Sequence, residues 1–525
     1  QEAYSLHYDS STQTTVTDAA GTVQIMSFTE QLGRKKLTQS QHVADGLSIN
    51  KSYDSNNNLL SRIDEEGRLT QYTYNAYNQK TSTIEAVGTP EQRTTIYAYY
   101  SNAIDLITNV IRESVSAGDH FETTTVYDTH LNPVSVTQTG FQPDESVISR
   151  STSMTYDSAG RVLSIDGSRT DTADITTLTY YTCATGAECG QLASVTNAAG
   201  HTTTYDMYDA NGRPLQITDS NGTVSTSVYD YRGRLISSTL TPLIGIPRTT
   251  LYAFDDANQL ESVTYADGVT ALYHYDAAHD LISVTDNIGN RVEYLYDSRG
   301  NKIEDLTKNS DGTLVNKMER VFDIRNRIAA THMGGGNGEV ASVSHQLHDA
   351  IGKLIERTDP NQTPPTTYEY DGHDRLTQTI DALFNPTVYE YNIHDNLVQV
   401  GAPNGASTEY VYDDLGNLLS ESSPDRGLIT YTHDVAGNVI GMVDARGVSV
   451  VYRYDALNRL LSVDYPGTDE DQSFRYDSCI QGVGRLCVIN DESGLLEFEY
   501  DAYGNRLVES RTQDNATYRT EYSFD

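Results

Sequence analysis

Tryptophan is absent from the 525-residue sequence, and phenylalanine occurs only 9 times. Hydrophobic residues reach 37%, below the roughly 45–50% usual in globular chains. Both shortages argue against a large enzyme built round one thick core. Basic residues are scarce as well: Lys+Arg minus Asp+Glu is 36 − 73 = −37, with a pI near 4.5. That balance argues against a nucleic-acid partner bound through its phosphates. Mean hydropathy is −0.50, and no apolar run approaches the roughly 20 residues a bilayer requires, so no transmembrane segment is expected. Residues Gln1–Tyr8 lack the basic start and apolar stretch of a signal peptide. They read like the interior of a pattern, so the chain is expected to be part of a longer one.

Tyrosine and glycine are abundant, with 38 residues each. Tyr at this level, among many Thr, Ser and Val, favours β-structure, and a disordered chain would be poor in aromatics. The tyrosines fall in a repeat. Tyr-Asp pairs begin at Tyr8, Tyr53, Tyr127, Tyr156, Tyr208, Tyr229, Tyr275, Tyr296, Tyr370, Tyr412, Tyr454, Tyr476 and Tyr500. Near-copies such as Phe254-Asp255, His348-Asp349, Tyr391-Asn392, His433-Asp434 and Phe524-Asp525 fill the gaps, with weaker heads at Phe28, Tyr99 and Tyr180. The most regular run is 370, 391, 412, 433, 454, a step of 21 residues. About 23 heads cover residues 1–525 as one continuous array, leaving no room for a separate domain.

One unit shows the mechanics. After Tyr412 the chain reads Asp413-Asp414-Leu415-Gly416, a tight turn in which Asp suits the first position and Gly416 supplies positive φ. Residues 417–422 suit a short strand, Pro424-Asp425-Arg426-Gly427 a second turn, and residues 428–432 a return strand into the next head. Two short strands and two turns make a β-hairpin. Tyr often recurs two residues before the head, as in Tyr273 with Tyr275 and Tyr410 with Tyr412. Alternation places such pairs on one face, where they are expected to form a ladder of rings from hairpin to hairpin. A single hairpin is marginal, so stability is expected from neighbours. The expected fold is all-β: tandem hairpins forming one long antiparallel sheet, one layer thick, which its own twist coils into a hollow shell, barrel or tube.

The pattern Tyr-Asp-x-x-Gly-[Asn/Arg]-Leu resembles the YD or Rhs repeat. Tyr229-Asp230-Tyr231-Arg232-Gly233-Arg234-Leu235 and Tyr412 to Leu418 carry it clearly; Tyr275-Asp276 and Tyr454-Asp455 carry its head. The resemblance covers essentially the whole chain. It is similar to bacterial Rhs proteins, to the cocoon subunits of insecticidal toxin complexes and to teneurins. What this implies is a spiralling sheet wound into an egg-like shell, enclosing a toxic C-terminal domain in the toxins and belonging to an adhesion ectodomain in the teneurins. The sequence departs from the Rhs pattern in one respect. Asp359-Pro360 is followed by Asn361-Gln362 and does not match the Asp-Pro-x-Gly self-cleavage motif, so no cleaving aspartates are carried over.

Four cysteines form two local pairs, Cys183 with Cys189 and Cys479 with Cys487, each starting three residues after a head. Turn-closing disulfides are the expected reading, implying an oxidising, secreted or cell-surface location. Free buried thiols and a zinc site are the alternatives, the latter lacking CxxC spacing. Asp54-Ser55-Asn56-Asn57-Asn58 begins like a calcium loop but lacks its Gly and distal Glu; turn formation explains most Asp positions. Four segments interrupt the array: 239–249, 308–320, 333–338 and 361–367. Each is expected to lengthen a hairpin loop.

No G-x-S-x-G, H-E-x-x-H or Walker loop is present, and the 13 histidines are scattered. No cofactor is expected. Three functions compete: a wall segment of a secreted or surface shell, with neighbouring repeats, further copies or an encapsulated polypeptide as partners; an adhesion module binding glycans or proteins through its Tyr-rich face; and an enzyme on a repeat scaffold. The structural reading is preferred.

Overall fold

A Tyr-Asp-x-x-Gly run cannot continue an extended strand, because its Asp side chain caps the backbone and its Gly adopts positive φ. A computed structural model of the chain describes residues 4–183, 186–336, 340–360, 362–467, 470–514 and 516–524. Asn337 and Gly338 of the glycine-rich segment, Asn361 and the Asp525 of the final head lie outside the described residues. The fold contains 45 β-strands, assigned to one antiparallel sheet, and no helix among the described residues. Strands pair with their sequence neighbours. Leu69–Tyr74, for example, pairs with Leu59–Ile63 before it and Lys80–Glu85 after it.

The register slips at head after head along the chain. Thr73 faces Ser82 but Tyr74 faces Lys80, which leaves Thr81 bulged. The same slip recurs at Tyr229 opposite Leu235, Tyr275 opposite Leu281 and Tyr454 opposite Leu460. A bulge at the close of a type I turn is the usual solution for a hairpin loop of this length, and each bulge adds right-handed twist.

Two of the four interrupting segments behave differently from expectation. Between strands Leu235–Thr241 and Arg248–Phe254, residues 242–247 form a lengthened loop, as expected. Strands Lys302–Lys308 and Leu314–Phe322 leave only a tight turn at 309–313, and Met333 to Gly335 end strand Ile328–Gly335. In the segments 308–320 and 333–338 the extra residues lengthen strands more than loops, because added rungs satisfy backbone N–H and C=O groups that a longer loop would leave to water.

The chain divides into two units. One comprises Gln1–Glu122, Pro143–Glu145 and Ala271–Glu409; the other comprises Thr123–Gln142, Ser146–Thr270 and Tyr410–Asp525. Each unit thus joins an early stretch of sequence to a late one.

Burial is shallow. Val450 and Cys487 are the largest fully buried side chains. Strand Val147–Tyr156 alternates exposed and half-buried positions along its whole length. The accessible surface is 28796 Å², against roughly 19,000 Å² for a compact 58-kDa chain. A sheet covered by a second layer would bury one face, so the excess follows from a single layer.

Candidate functional site

The Tyr-Asp turn is the recurring unit, and each residue of its motif has a separate task. In the turn after Tyr229, Asp230 donates its N–H to the Arg234 carbonyl at 2.9 Å and the Gly233 N–H donates to the Asp230 carbonyl at 2.9 Å. Oδ1 of Asp230 accepts the N–H groups of Arg232 and Arg234 at 2.9 and 3.0 Å, and its Oδ2 accepts Nε of Arg234 at 2.7 Å. Gly233 sits at φ 86° and Gly416 at 82°. Asp413 accepts the Asn417 N–H at 2.8 Å and the Asn417 amide at 2.7 Å, and is only 2% exposed. Asp455 accepts from Leu457 and Arg459 N–H, both at 2.9 Å, and from Arg459 Nε at 2.7 Å. At Asp276 the backbone half is kept, with Ala278 and Asp280 N–H at 2.8 and 3.0 Å, while His279 takes the positive φ.

The head ring reaches back to the previous hairpin. The phenol of Tyr296 donates to the Leu281 carbonyl at 2.7 Å, Tyr370 to Leu354 at 2.9 Å and Tyr500 to Leu486 at 2.6 Å. In each case the acceptor is the Leu that opens the strand after the preceding head's turn. A cation from that hairpin covers the ring: Arg213 over Tyr229 at 4.3 Å, Arg459 over Tyr476 at 4.4 Å, Lys353 over Tyr370 at 4.9 Å. Such contacts contribute about 0.5–1 kcal/mol each near a surface. The expected ring-on-ring ladder is therefore replaced largely by alternating rings and cations. A ring contact of that kind is present between Tyr181 and Tyr208, edge-on at 6.5 Å. The physical reason is the Arg of the motif: clamped to its own Asp, it projects over the next head and occupies the space a second ring would need.

These contacts set the ionisation of the motif. Backbone N–H donation from Arg161, then its guanidinium, holds the Asp157 carboxyl below the usual range; donation from Arg213 N–H does the same for Asp209. Burial pushes the phenols of Tyr412 and Tyr454 up.

A second set of contacts was not readable in the motif. Within each unit, second turns of the early stretch are laid against Tyr-Asp turns of the late stretch. In one unit Arg93 grips Asp395 at 2.6 and 2.9 Å, Arg68 pairs with Asp374, and Arg325 reaches Asp45 at 2.8 Å. There the Ala350 N–H donates to Glu66 at 2.9 Å. In the other unit Arg150 Nε donates to the Val435 carbonyl at 3.0 Å and Arg169 to the Asp455 carbonyl at 2.8 Å. Asn221 exchanges two hydrogen bonds with Val483, at 3.0 and 3.1 Å. This seam joins residues 257 to 306 positions apart.

Cys183 is bridged to Cys189 and Cys479 to Cys487. A cleft of about 420 Å³ beside the seam is lined by Val147, Leu415, Tyr431, Asp434 and His433, whose ring burial keeps from protonating at its usual pH. No group of three His, Cys, Asp or Glu side chains able to hold a metal ion occurs among the described residues. No helix among them is long and apolar enough to cross a membrane.

The teneurin YD-shell family matches residues 292–519, and the RHS repeat matches 53–90 and 208–242. No curated protein matches the chain. Among solved structures, TcdB2-TccC3 is similar with a TM-score of 0.59 and 13% identity, over 95% of this chain and 33% of that one. TcdB2-TccC3 without its hypervariable C-terminal region gives 0.51 and 14%, over 96% and 31%. The Tc holotoxin pore of Photorhabdus luminescens gives 0.50 and 14%, over 98% and 32%. The chain spans about a third of the length of these structures, and at such identity the likeness is one of fold. With the same clasp built at Asp54, Asp157, Asp230, Asp413 and Asp501 and these matches along its length, the chain belongs to the YD/Rhs-repeat family.

Proposed function

We propose that the chain is a non-enzymatic wall segment of a secreted or cell-surface YD-repeat shell that encloses a polypeptide cargo. The observation that supports this reading best is the single-layer sheet. Its stabilising contacts run from hairpin to hairpin and across the seam, and its 28796 Å² of accessible surface far exceeds that of a solid body of its mass. A layer held together laterally is suited to bounding a space. The fold likeness to TcdB2-TccC3 chains supports a shell, and two disulfides support an oxidising compartment. The whole-protein role and the cargo belong to this proposal. Negative-stain electron microscopy of the purified chain is the test. Particles or curved fragments with an electron-lucent interior are expected; solid globules overturn the reading.

The adhesion alternative draws on exposed rings such as Tyr231, 88% exposed. Binding on a glycan array that is lost in Tyr231→Ala would favour it over the wall.

A further inference from the structure

His433 stands at a head position that most repeats fill with Tyr. At such heads the phenol crosses to the residue that opens the strand after the preceding head's turn. Tyr156 donates to the Pro133 carbonyl at 2.8 Å, Tyr180 to Val162 at 2.9 Å and Tyr208 to Leu192 at 2.7 Å. The corresponding residue for His433 is Leu418, which opens strand Leu418–Ser423. An imidazole is shorter than a phenol and carries no hydroxyl at its far end. The space a head phenol would take is left over.

The cleft beside His433 lies there. Its volume is about 420 Å³, within the roughly 300–1,000 Å³ of small-molecule sites. Asn417 and Leu419, on either side of Leu418, line it together with Tyr431 and His433. Leu415, Val147 and Val435 extend its apolar wall. Val147 and Val435 are 65% and 39% exposed, so the cleft opens to solvent on their side. The strands that build it are paired on both flanks. Val147–Tyr156 lies between Pro133–Phe141 and Val162–Asp166, and Gly427–His433 between Leu418–Ser423 and Val439–Val443. All of these residues belong to one unit.

The polar groups narrow the ligand. Nδ1 of His433 is buried and has no hydrogen-bond partner among the described residues, which is costly to leave so. Asp413, Asp434 and Arg150 lie close enough to act on the charge of His433. The two carboxylates oppose an anion there, and the guanidinium opposes a cation. The carboxylates are also engaged already: Asp413 accepts the Asn417 amide at 2.7 Å and Asp434 the Asn438 amide at 2.9 Å. A neutral ring with a hydroxyl fits what remains. A phenol O–H both donates and accepts, so it satisfies Nδ1 in either tautomer.

We propose that the cleft at His433 is a binding site for a neutral phenol, seated where the head ring lies in other repeats. A free small phenol and the tyrosine side chain of another polypeptide share this chemistry.

Isothermal titration calorimetry of the chain with p-cresol at neutral pH tests it. Saturable binding at a single site is expected, with toluene about tenfold weaker for want of one hydrogen bond. His433→Tyr fills the cleft with its own ring and is expected to abolish binding. Val147→Arg, at an exposed position, obstructs the mouth, and carries the test should His433→Tyr fail to fold by far-UV circular dichroism. His348→Tyr makes the same exchange at a head in the other unit and should leave binding unchanged. N-acetyltyrosinamide separates the two sources: binding like that of p-cresol assigns the site to tyrosine side chains, and binding of p-cresol alone assigns it to free phenols. Absence of saturable p-cresol binding overturns the inference. So does toluene binding as tightly as p-cresol, or p-cresol binding retained in folded His433→Tyr. Either failure leaves the wall reading intact.

Discussion

Asp414 clips onto the backbone of Phe141 from 273 positions away. Its N–H donates to the Phe141 carbonyl at 3.0 Å, and its Oδ2 accepts the Phe141 N–H at 2.8 Å. The neighbouring Gly140 leaves room for this: a Cβ there would sit 2.4 Å from the Asp414 Cβ. Gly140→Ala is therefore expected to open the seam at this point, at a cost of about 1–3 kcal/mol by overpacking. Urea denaturation followed by circular dichroism reads the loss, and hydrogen exchange at the Phe141 amide locates it. An unchanged midpoint would contradict the close approach.

Acid should weaken the turns first. Backbone N–H groups hold the carboxyls of Asp128, Asp157, Asp209 and Asp444 below their ordinary value. For carboxyls lowered in the folded chain, the stabilisation is complete above the unfolded value near pH 3.9 and drains as pH falls through the folded values. A circular-dichroism titration should show unfolding beginning below about pH 4. Burial also lowers His433, so its share is present above about pH 6.5 and declines as pH falls. His433→Tyr, which restores the usual head, should remove that earlier slope.

Alkali should act on the heads. Tyr53, Tyr99, Tyr156, Tyr208, Tyr296, Tyr370 and Tyr500 are pushed up by burial, and each donates its phenol to a backbone carbonyl. The raised values give stability that is complete below about pH 10 and lost as pH rises through them. Ultraviolet titration of tyrosinate should show a late group of phenols ionising together with loss of β-structure. Phenols that all titrate at the free value, with the fold retained, would contradict this.

Arg459 ties three features together: Asp455 in its own turn, Asp477 in the next, and the ring of Tyr476. Arg459→Lys keeps the charge but loses the planar fork. A loss of about 1–2 kcal/mol is expected, discounted for partial exposure, with faster hydrogen exchange in both turns. Arg446, with its side chain 81% exposed, is the control: Arg446→Lys should change stability by less than about 0.5 kcal/mol.

Reduction of the bridge between Cys479 and Cys487 frees a loop closed over a separation of eight residues. The expected cost is about 2–3 kcal/mol. Peptide mapping without reductant should find this pair and Cys183 with Cys189; scrambled pairs would contradict the local hairpin closure.

The repeat was legible because its causes are local. Asp230, Gly233 and Arg234 interact within four residues, so spacing alone reveals the turn. The role of Arg213 over Tyr229 was half legible. The motif contains both residues, but their meeting depends on how successive hairpins lean together, and alternation instead suggested a ladder of rings. The seam was illegible. Nothing near Arg93 points to Asp395, since the pairing depends on how the sheet brings early and late stretches together. Asp414 looked like one more turn residue, although its carboxylate serves Phe141.

The length of the seam's reach has a consequence during synthesis. At about 5–20 residues per second, a partner roughly 280 positions downstream emerges about 14–56 s after the segment it must cover. Nascent hairpins therefore wait with one flank bare for much longer than a hairpin takes to form. The ribosome-bound chain is the species most exposed to proteases and to wrong neighbours, and holding chaperones would act in that interval.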